Sequence, residues 1–299
     1  MKILRMLLAI LLCAPACISR ADAVEDAYTN PAPSAVQGIR AVPVEPQAPG
    51  FEFSVQGGLT GVAMDDFNTA LEGFLKGKAA GFVDYLLYTG SDGSASWKAE
   101  EAKAGKSFSG QIGYATSPNF TLGAEIEYIT LPTITGKVTG AGIFSESIDF
   151  SMDADTSLLA LMVGAAVKGG ERKGANYRGF LYGGPIWATM EITERQHFVD
   201  PFFAFDETYH ATFKEEGSGI AVKFGGEVGY GITDAVSIFV AGGYRFAKIA
   251  KMKSDRGVDW DQDGIDETDK GETYKDKDEN TVEFDFSGYI LNLGVRFLF

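Results

Sequence analysis

Cysteine is nearly absent from this chain. Cys13 and Cys17 are the only two, and both fall inside what is read below as an export signal. The mature protein then has no disulfide, no thiolate ligand and no thiol nucleophile. Histidine is as scarce, with only His197 and His210, and no Gly-x-Ser-x-Gly element accompanies them. Asp206 precedes His210 by four residues, but these are read as exposed loop residues, because catalysis needs a nucleophile or activated water beside the base. The chain is expected not to be an enzyme. No stretch reaches the roughly 20 apolar residues that a membrane helix requires. Positive charge is short as well: the net charge of -15 argues against nucleic acid as a partner.

At the N-terminus, Lys2 and Arg5 precede an apolar run from Met6 to Cys17, and Ala21-Asp22-Ala23 offers small residues for cleavage. This is the layout of a secretory signal peptide over residues 1–23. Lipid attachment at Cys17 is disfavoured, since Ala14-Pro15-Ala16 lacks the leucine expected there. Removing the signal takes away Lys2, Arg5 and Arg20 against Asp22, so the mature chain is more acidic still. Residues 24–50 carry Pro31, Pro33, Pro43, Pro46 and Pro49 without any period. They are expected to form an extended periplasmic linker.

From Phe51 onward the chain alternates with the period of two that marks β-strands. Eight segments are predicted, at 51–64, 107–116, 119–131, 157–168, 177–193, 219–230, 235–247 and 282–299. In the first, Phe51, Phe53, Val55 and Leu59 oppose Glu52, Ser54 and Gln56; in the third, Leu122, Ile126 and Tyr128 oppose Glu125 and Glu127. The fourth is the least regular, with Leu158 and Met162 on the face that should be polar. The fifth is read with Phe180, Tyr182, Ile186 and Ala188 outward, Trp187 inward, and a bend or bulge at Gly183-Gly184-Pro185. The sixth and seventh set Lys223, Glu227 and Arg245 inward. In the last, Tyr289, Leu291, Leu293, Val295, Phe297 and Phe299 share one face and Asn292, Gly294 and Arg296 the other. Phe284 and Phe286 have the opposite parity, which predicts a bulge near Ser287-Gly288. The 37 glycines exceed the usual share of about 7% and suit strands that bend and coil.

The predicted connections alternate in length: 117–118, 169–176 and 232–234 are short, whereas 64–106, 132–156, 194–218 and 248–281 are long and polar. Short turns at one end and long loops at the other are the asymmetry of outer-membrane barrels. Within the first long connection, Phe67, Leu71, Phe74 and Leu75 recur at helical spacing after Asp66, which predicts a short amphipathic helix over 65–76, capped by Asp66 and packed over the barrel mouth.

With its alternation, its loop asymmetry and a final strand ending on an aromatic, the segment from Phe51 to Phe299 resembles the small, OmpA-like porin superfamily of eight-stranded outer-membrane barrels. The resemblance implies an all-β, transmembrane, antiparallel up-and-down barrel, exported by the signal peptide to the bacterial outer membrane, a monomer in contact with outer-membrane lipid. It implies that Phe299, Phe297 and Tyr289 form the signal read by the barrel-assembly machinery. The peptidoglycan-binding domain of OmpA-type proteins has no counterpart here, so cell-wall anchoring through such a domain is not carried over.

Two constellations remain. Glu52, Glu125, Glu127, Lys223, Glu227, Arg245 and Arg296 all take inward positions, and an eight-stranded interior is only wide enough to be filled by side chains. Acids and bases are expected to pair across it, giving a plugged barrel with a structural or surface-interaction role and an unknown extracellular ligand. The alternative is a small channel or carrier for a hydrophobic or small polar solute. The second constellation is Asp259, Asp261, Asp263, Ile265 and Glu267, which match the first, third, fifth, seventh and ninth places of a calcium loop, with Gly264 at the sixth. Lys270 stands where the bidentate glutamate should be, so the site is either weak or only an acidic solvated loop. No cofactor is expected beyond this possible calcium. Lys248, Lys251, Lys253 and Arg256 are read as solvated loop bases.

Overall fold

The computed structural model describes residues 50–254, 271, 273 and 281–299. The expected signal peptide, residues 24–49 of the linker and the five candidate calcium ligands, Asp259, Asp261, Asp263, Ile265 and Glu267, lie outside the described residues. In chain order the elements are β1 (Gly50–Gly61), α1 (Asp65–Thr89), β2 (Gly93–Ala99), β3 (Ala104–Ser117), β4 (Phe120–Thr130), β5 (Ile134–Gly142), β6 (Ser147–Gly170), β7 (Gly174–Asp200), β8 (Phe205–Gly231), β9 (Val236–Ile249), β10 (Met252–Ser254), β11 (Phe284–Asp285) and β12 (Gly288–Leu298).

Eight strands close a ring in the order β1, β3, β4, β6, β7, β8, β9, β12 and back to β1, every neighbour antiparallel. Closure leaves no free strand edge in the ring, the condition for a sheet surrounded by hydrocarbon. The surface is inverted relative to a water-soluble barrel. Leu59, Phe108, Ile112, Leu122, Ile126, Val163, Val228, Val240 and Leu293 point out and are exposed, while Glu52, Gln56, Ser109, Glu125, Lys223, Arg245 and Asn292 point in and are buried. Aromatic residues bound this apolar band at both ends: Phe51, Tyr114, Phe120, Tyr177 and Tyr230 near the short turns, and Tyr128, Trp187, Phe246 and Tyr289 at the other end. Such girdles mark the two interfaces of a transmembrane barrel.

Beyond the second girdle the pattern reverses. Along β7, the outward positions change from Tyr177, Leu181 and Trp187 to Thr189, Glu191 and Thr193, while the inward ones run through the buried Ile186, Ala188, Met190 and Ile192. The same strand therefore meets hydrocarbon below and water above. In this stretch β6 exchanges its partner β4 for β5, and β2, β5, β6, β7, β8 and β10 make an outer sheet. From Thr189 to Asp200, β7 continues by about 36 Å along the strand at the usual rise per residue.

Several expectations change accordingly. Residues 194–218 are not a long loop; β7 and β8 run on to a turn of four residues, Pro201 to Ala204. Likewise 132–156 contains β5 and the start of β6. Strand polarity misled the reading, because above the membrane a strand no longer shows apolar residues outside. The face assignment of β7 is also reversed: Phe180, Tyr182, Ile186 and Ala188 are buried inside and Trp187 lies outside. No register shift occurs at Gly183-Gly184-Pro185, since β6 and β7 pair in one register from Ala160↔Ile186 to Val163↔Gly183. The ladder is only interrupted there, at a proline that has no N–H to donate. Nor is there a bulge near Ser287-Gly288: Phe284↔Ile249 and Gly288↔Arg245 belong to one register with β9. Phe284 and Phe286 face inward and are fully buried. The recorded irregularity is instead between Ala115 and Ser117.

Helix α1 spans 25 residues rather than the short segment expected. Asp66 is not its cap; Met64 holds that position without a side-chain hydrogen bond, and Asp65 and Asp66 sit in the first turn, where they face the positive end of the helix dipole. The helix ends at Gly90, with φ of 75°, a left-handed conformation that suits glycine. Gly90 N–H and Ser91 N–H donate to Leu87 O and Leu86 O. Its buried face, Phe67, Ala70, Leu71, Leu75, Ala79, Phe82 and Leu86, packs against β2, β5 and β11. Phe67 meets Phe284 at 5.6 Å, Phe74 meets Phe150 at 5.7 Å and Phe82 meets Phe198 at 6.2 Å between ring centroids.

The reversal predicts opposite responses to one substitution at two heights of β6. Val163→Arg, within the band, should destabilise the barrel in lipid vesicles by about 2–4 kcal/mol, and Asp153→Arg, above it, should be close to neutral. Urea unfolding in vesicles measures both, and equal effects would contradict the assigned band.

Candidate functional site

The lumen is one candidate site. All seven charged residues expected to line it face inward and are buried. Lys223 Nζ donates to Glu125 Oε1 at 2.6 Å and to Glu127 Oε1 at 3.3 Å. Arg245 Nη1 lies 3.5 Å from the same Glu127 oxygen, and its Nη2 donates to Thr60 Oγ1 at 3.0 Å and Phe286 O at 2.9 Å. Arg296 pairs with Glu227 and stacks over Phe239, 4.6 Å from the ring centroid. Gln56 Nε2 links Ser109 Oγ at 2.9 Å to Glu125 Oε1 at 3.4 Å, and Ser107 Oγ donates to Asn292 Oδ1 at 2.9 Å.

Two further members were not foreseen. Glu52 pairs with Lys168 and with Arg178, whose Nη1 is 3.0 Å from Glu52 Oε2 and whose Nη2 donates to Tyr182 OH at 3.1 Å. Reversing the faces of β7 hid Arg178. The signal was nonetheless present, because a face carrying an arginine among apolar residues cannot be the one turned to hydrocarbon.

The pairing has a geometric consequence. In the ring β1 and β7 are opposite each other, and so are β4 and β9. Glu52–Arg178 and Glu127–Arg245 therefore each span the full diameter. The apolar side chains of α1 belong to one buried cluster with Phe284 and Phe286.

The second candidate site lies outside the membrane, between α1 and the extension of β7 and β8. A cleft there has two lobes of about 500 and about 950 Å³ that share Phe74, Lys78, Tyr85, Gln196 and Phe198. Lys78 Nζ sits 5.6 Å from the Phe74 ring and 5.2 Å from the Phe150 ring, and donates to Gln196 Oε1 at 3.4 Å. Glu194 lines the larger lobe and is only 3% exposed. Burial pushes its carboxyl up to about 7, although the nearby Lys78 opposes the shift. Tyr85 hydrogen-bonds Asp200, whose Oδ1 accepts the N–H groups of Phe202 and Phe203 at 2.8 and 3.2 Å, so the end of α1 is tied to the β7–β8 turn.

The histidines fall on these strands rather than in a loop. His197 Nε2 is 2.9 Å from Asp206 Oδ1 across the β7–β8 pair, with both side chains largely exposed. Lys248 pairs with Glu283 and, at 3.3 Å, with Asp285, so this base is engaged within the protein. Tyr289, Phe297 and Phe299 lie on the outer face of the last strand, with Tyr289 the terminal aromatic of the second girdle.

No family model matches this chain, and no curated protein does. Among solved structures it is similar to the outer membrane protein OprG from Pseudomonas aeruginosa, at 14% identity over 83% of this chain and 95% of that one, with a TM-score of 0.36. Neisserial surface protein A matches at 13% identity over 85% of this chain and 100% of that one, with a TM-score of 0.34. A major outer membrane protein from Thermus thermophilus matches at 10% identity over the same two shares, with a TM-score of 0.36. The fold assignment rests on the closed ring and its inverted surface, not on these likenesses.

Raising the Glu194 pKa has a definite sign for stability. Between its ordinary 4.5 and about 7 the folded carboxyl holds a proton that the unfolded chain has released. Folding is therefore favoured at the acid end of this window, and that contribution, of order 3 kcal/mol at most, is lost as pH rises through 7. Hydrogen exchange should show α1 less protected at pH 7.5 than at pH 5, with Glu194→Gln removing most of the difference. Protection that rises with pH in the unmutated protein would contradict the assignment.

Proposed function

We propose that this protein is a non-enzymatic outer-membrane barrel that acts at the cell surface through its outer layer, and that its lumen is a structural plug. The observation that carries the reading is the pair of ion pairs spanning the full diameter, Glu52–Arg178 and Glu127–Arg245. A carboxylate and a guanidinium in contact from opposite walls leave little space for a solute between them, and each is buried. The apolar packing of α1 above them supports the same reading. The extent of the outer sheet, which rises well beyond the band, gives the surface role its platform. The outward aromatics Tyr289, Phe297 and Phe299 are offered as the face recognised by the barrel-assembly machinery.

Refolded protein in planar lipid bilayers should therefore be electrically silent, and ion-selective steps from the unmutated protein would favour the channel instead. Arg245→Ala should lower stability in lipid by about 3–5 kcal/mol, since it leaves Glu127 one partner short in a dry interior. Lys214→Ala, at an exposed pair with Glu216, should cost less than about 1 kcal/mol. Chemical denaturation in vesicles measures both, and equal losses would contradict a buried network.

A further inference from the structure

The cleft beneath α1 has features that neither packing nor the plug explains. Its smaller lobe is walled by Phe74, Phe82, Tyr85 and Phe198, and α1 turns Gly73, Gly77 and Gly81 toward it. A Cβ added at Gly77 or Gly81 would meet nothing within 4 Å, so the glycines keep this wall open. Helix interiors disfavour glycine by about 1 kcal/mol relative to alanine, and three of them at every fourth position leave α1 with a bare face along the cleft.

The larger lobe holds the opposite requirement. Glu194 is almost wholly buried and lines it, yet among the described residues no hydrogen bond or ion pair engages its carboxylate. A buried carboxylate without a donor is costly. Lys78 lines both lobes, and among the described residues its ammonium makes a long hydrogen bond to Gln196 and lies over the Phe74 and Phe150 rings. An acid and a base thus face one cavity without closing on each other, next to an aromatic lobe. A volume of this size is within the usual range for small-molecule sites.

We propose that this cleft binds a free α-amino acid with an aromatic or branched apolar side chain. The ammonium of the ligand donates to Glu194, its carboxylate accepts from Lys78, and its side chain enters the lobe between the glycine face of α1 and Phe198. A ligand with only one of the two charges leaves the other protein group unanswered. The acidic mouth, which carries Asp206 and Glu207, disfavours a bare carboxylate most. The binding is independent of whether the lumen conducts.

Ammonium binding favours ionised Glu194, so affinity should fall as pH drops below 7. The titratable groups lining the lobe with Glu194 are Lys78 and Tyr85 of α1 and Asp206, Glu207 and Tyr209 of β8; β6 places the apolar Met152 opposite it. Of the two carboxylates on β8, Asp206 is bonded to His197.

The test is calorimetry on the full chain refolded in detergent, using L-phenylalanine, phenethylamine and 3-phenylpropionate as probes. L-phenylalanine should bind one to one, and each singly charged analogue at least tenfold more weakly. Glu194→Gln and Lys78→Met should each weaken L-phenylalanine binding at least tenfold. Gly77→Leu, which improves helix propensity while filling the cleft, should abolish it. Retained heat-modifiability on unboiled gels shows that a variant is folded; if Glu194→Gln fails that check, Gly77→Leu decides. No binding of L-phenylalanine at millimolar concentration overturns the proposal. So does equal binding of phenethylamine, or unchanged binding by folded Gly77→Leu.

Discussion

An eight-stranded barrel is so narrow that side chains from opposite walls touch, and this constraint governs the chemistry inside it. With hydrocarbon outside, the wall presents a mainly apolar band there, and Glu52, Gln56, Ser109, Glu125, Lys223, Arg245 and Asn292 of the spanning strands are turned inward. Once inside, these charges are buried and face one another across the ring. The carboxylates of Glu52, Glu125, Glu127 and Glu227 are each matched by a cation from another strand. Removing one member leaves its partner buried with one counter-charge fewer, or, for Glu227 and Arg296, with none, at a cost in stability. The Gln56, Ser109, Thr60 and Asn292 contacts extend it between the ion pairs.

Where the strands leave the membrane the constraint is inverted, and the same backbone carries a second kind of core. Met190, Ile192 and Phe213 predominate on the inner face, with Glu194 and Glu215 buried among them, and α1 supplies the opposing layer. One sheet thus holds a polar interior below and a mainly apolar interior above, joined along β6, β7 and β8. The cleft lies in this upper layer, where α1 with its glycine face fails to close against Gln196 and Phe198.

The spanning part was legible in the sequence because its period of two has one clear reading once the outer face is apolar. Glu125 and Glu127, two residues apart among Leu122, Ile126 and Tyr128, already indicated a charged interior. The extensions were not legible for the same reason: past Trp187 and Ile220 the outer positions turn polar, and Arg195, Lys214 and Glu216 read as loop. On β7 the alternation was present but both faces carried large apolar residues, and Phe180 and Tyr182 outweighed Arg178. The ends of α1 were hidden by Gly73, Gly77 and Gly81, which break helical propensity while serving the open face. Nothing local in the sequence connects Glu194 with Lys78, because their proximity depends on the helix folding back over strands more than a hundred residues away.

The central claim, that ion pairs cross the whole lumen, is tested most directly by a double-mutant cycle on Glu52 and Arg178. Glu52→Gln, Arg178→Met and the double variant are unfolded by urea in lipid vesicles. Direct contact predicts a coupling free energy of about 1–3 kcal/mol, with the double variant much less destabilised than the sum of the singles. Additive losses, within about 0.3–0.5 kcal/mol, would mean that the two walls do not meet and would contradict the proposed plug.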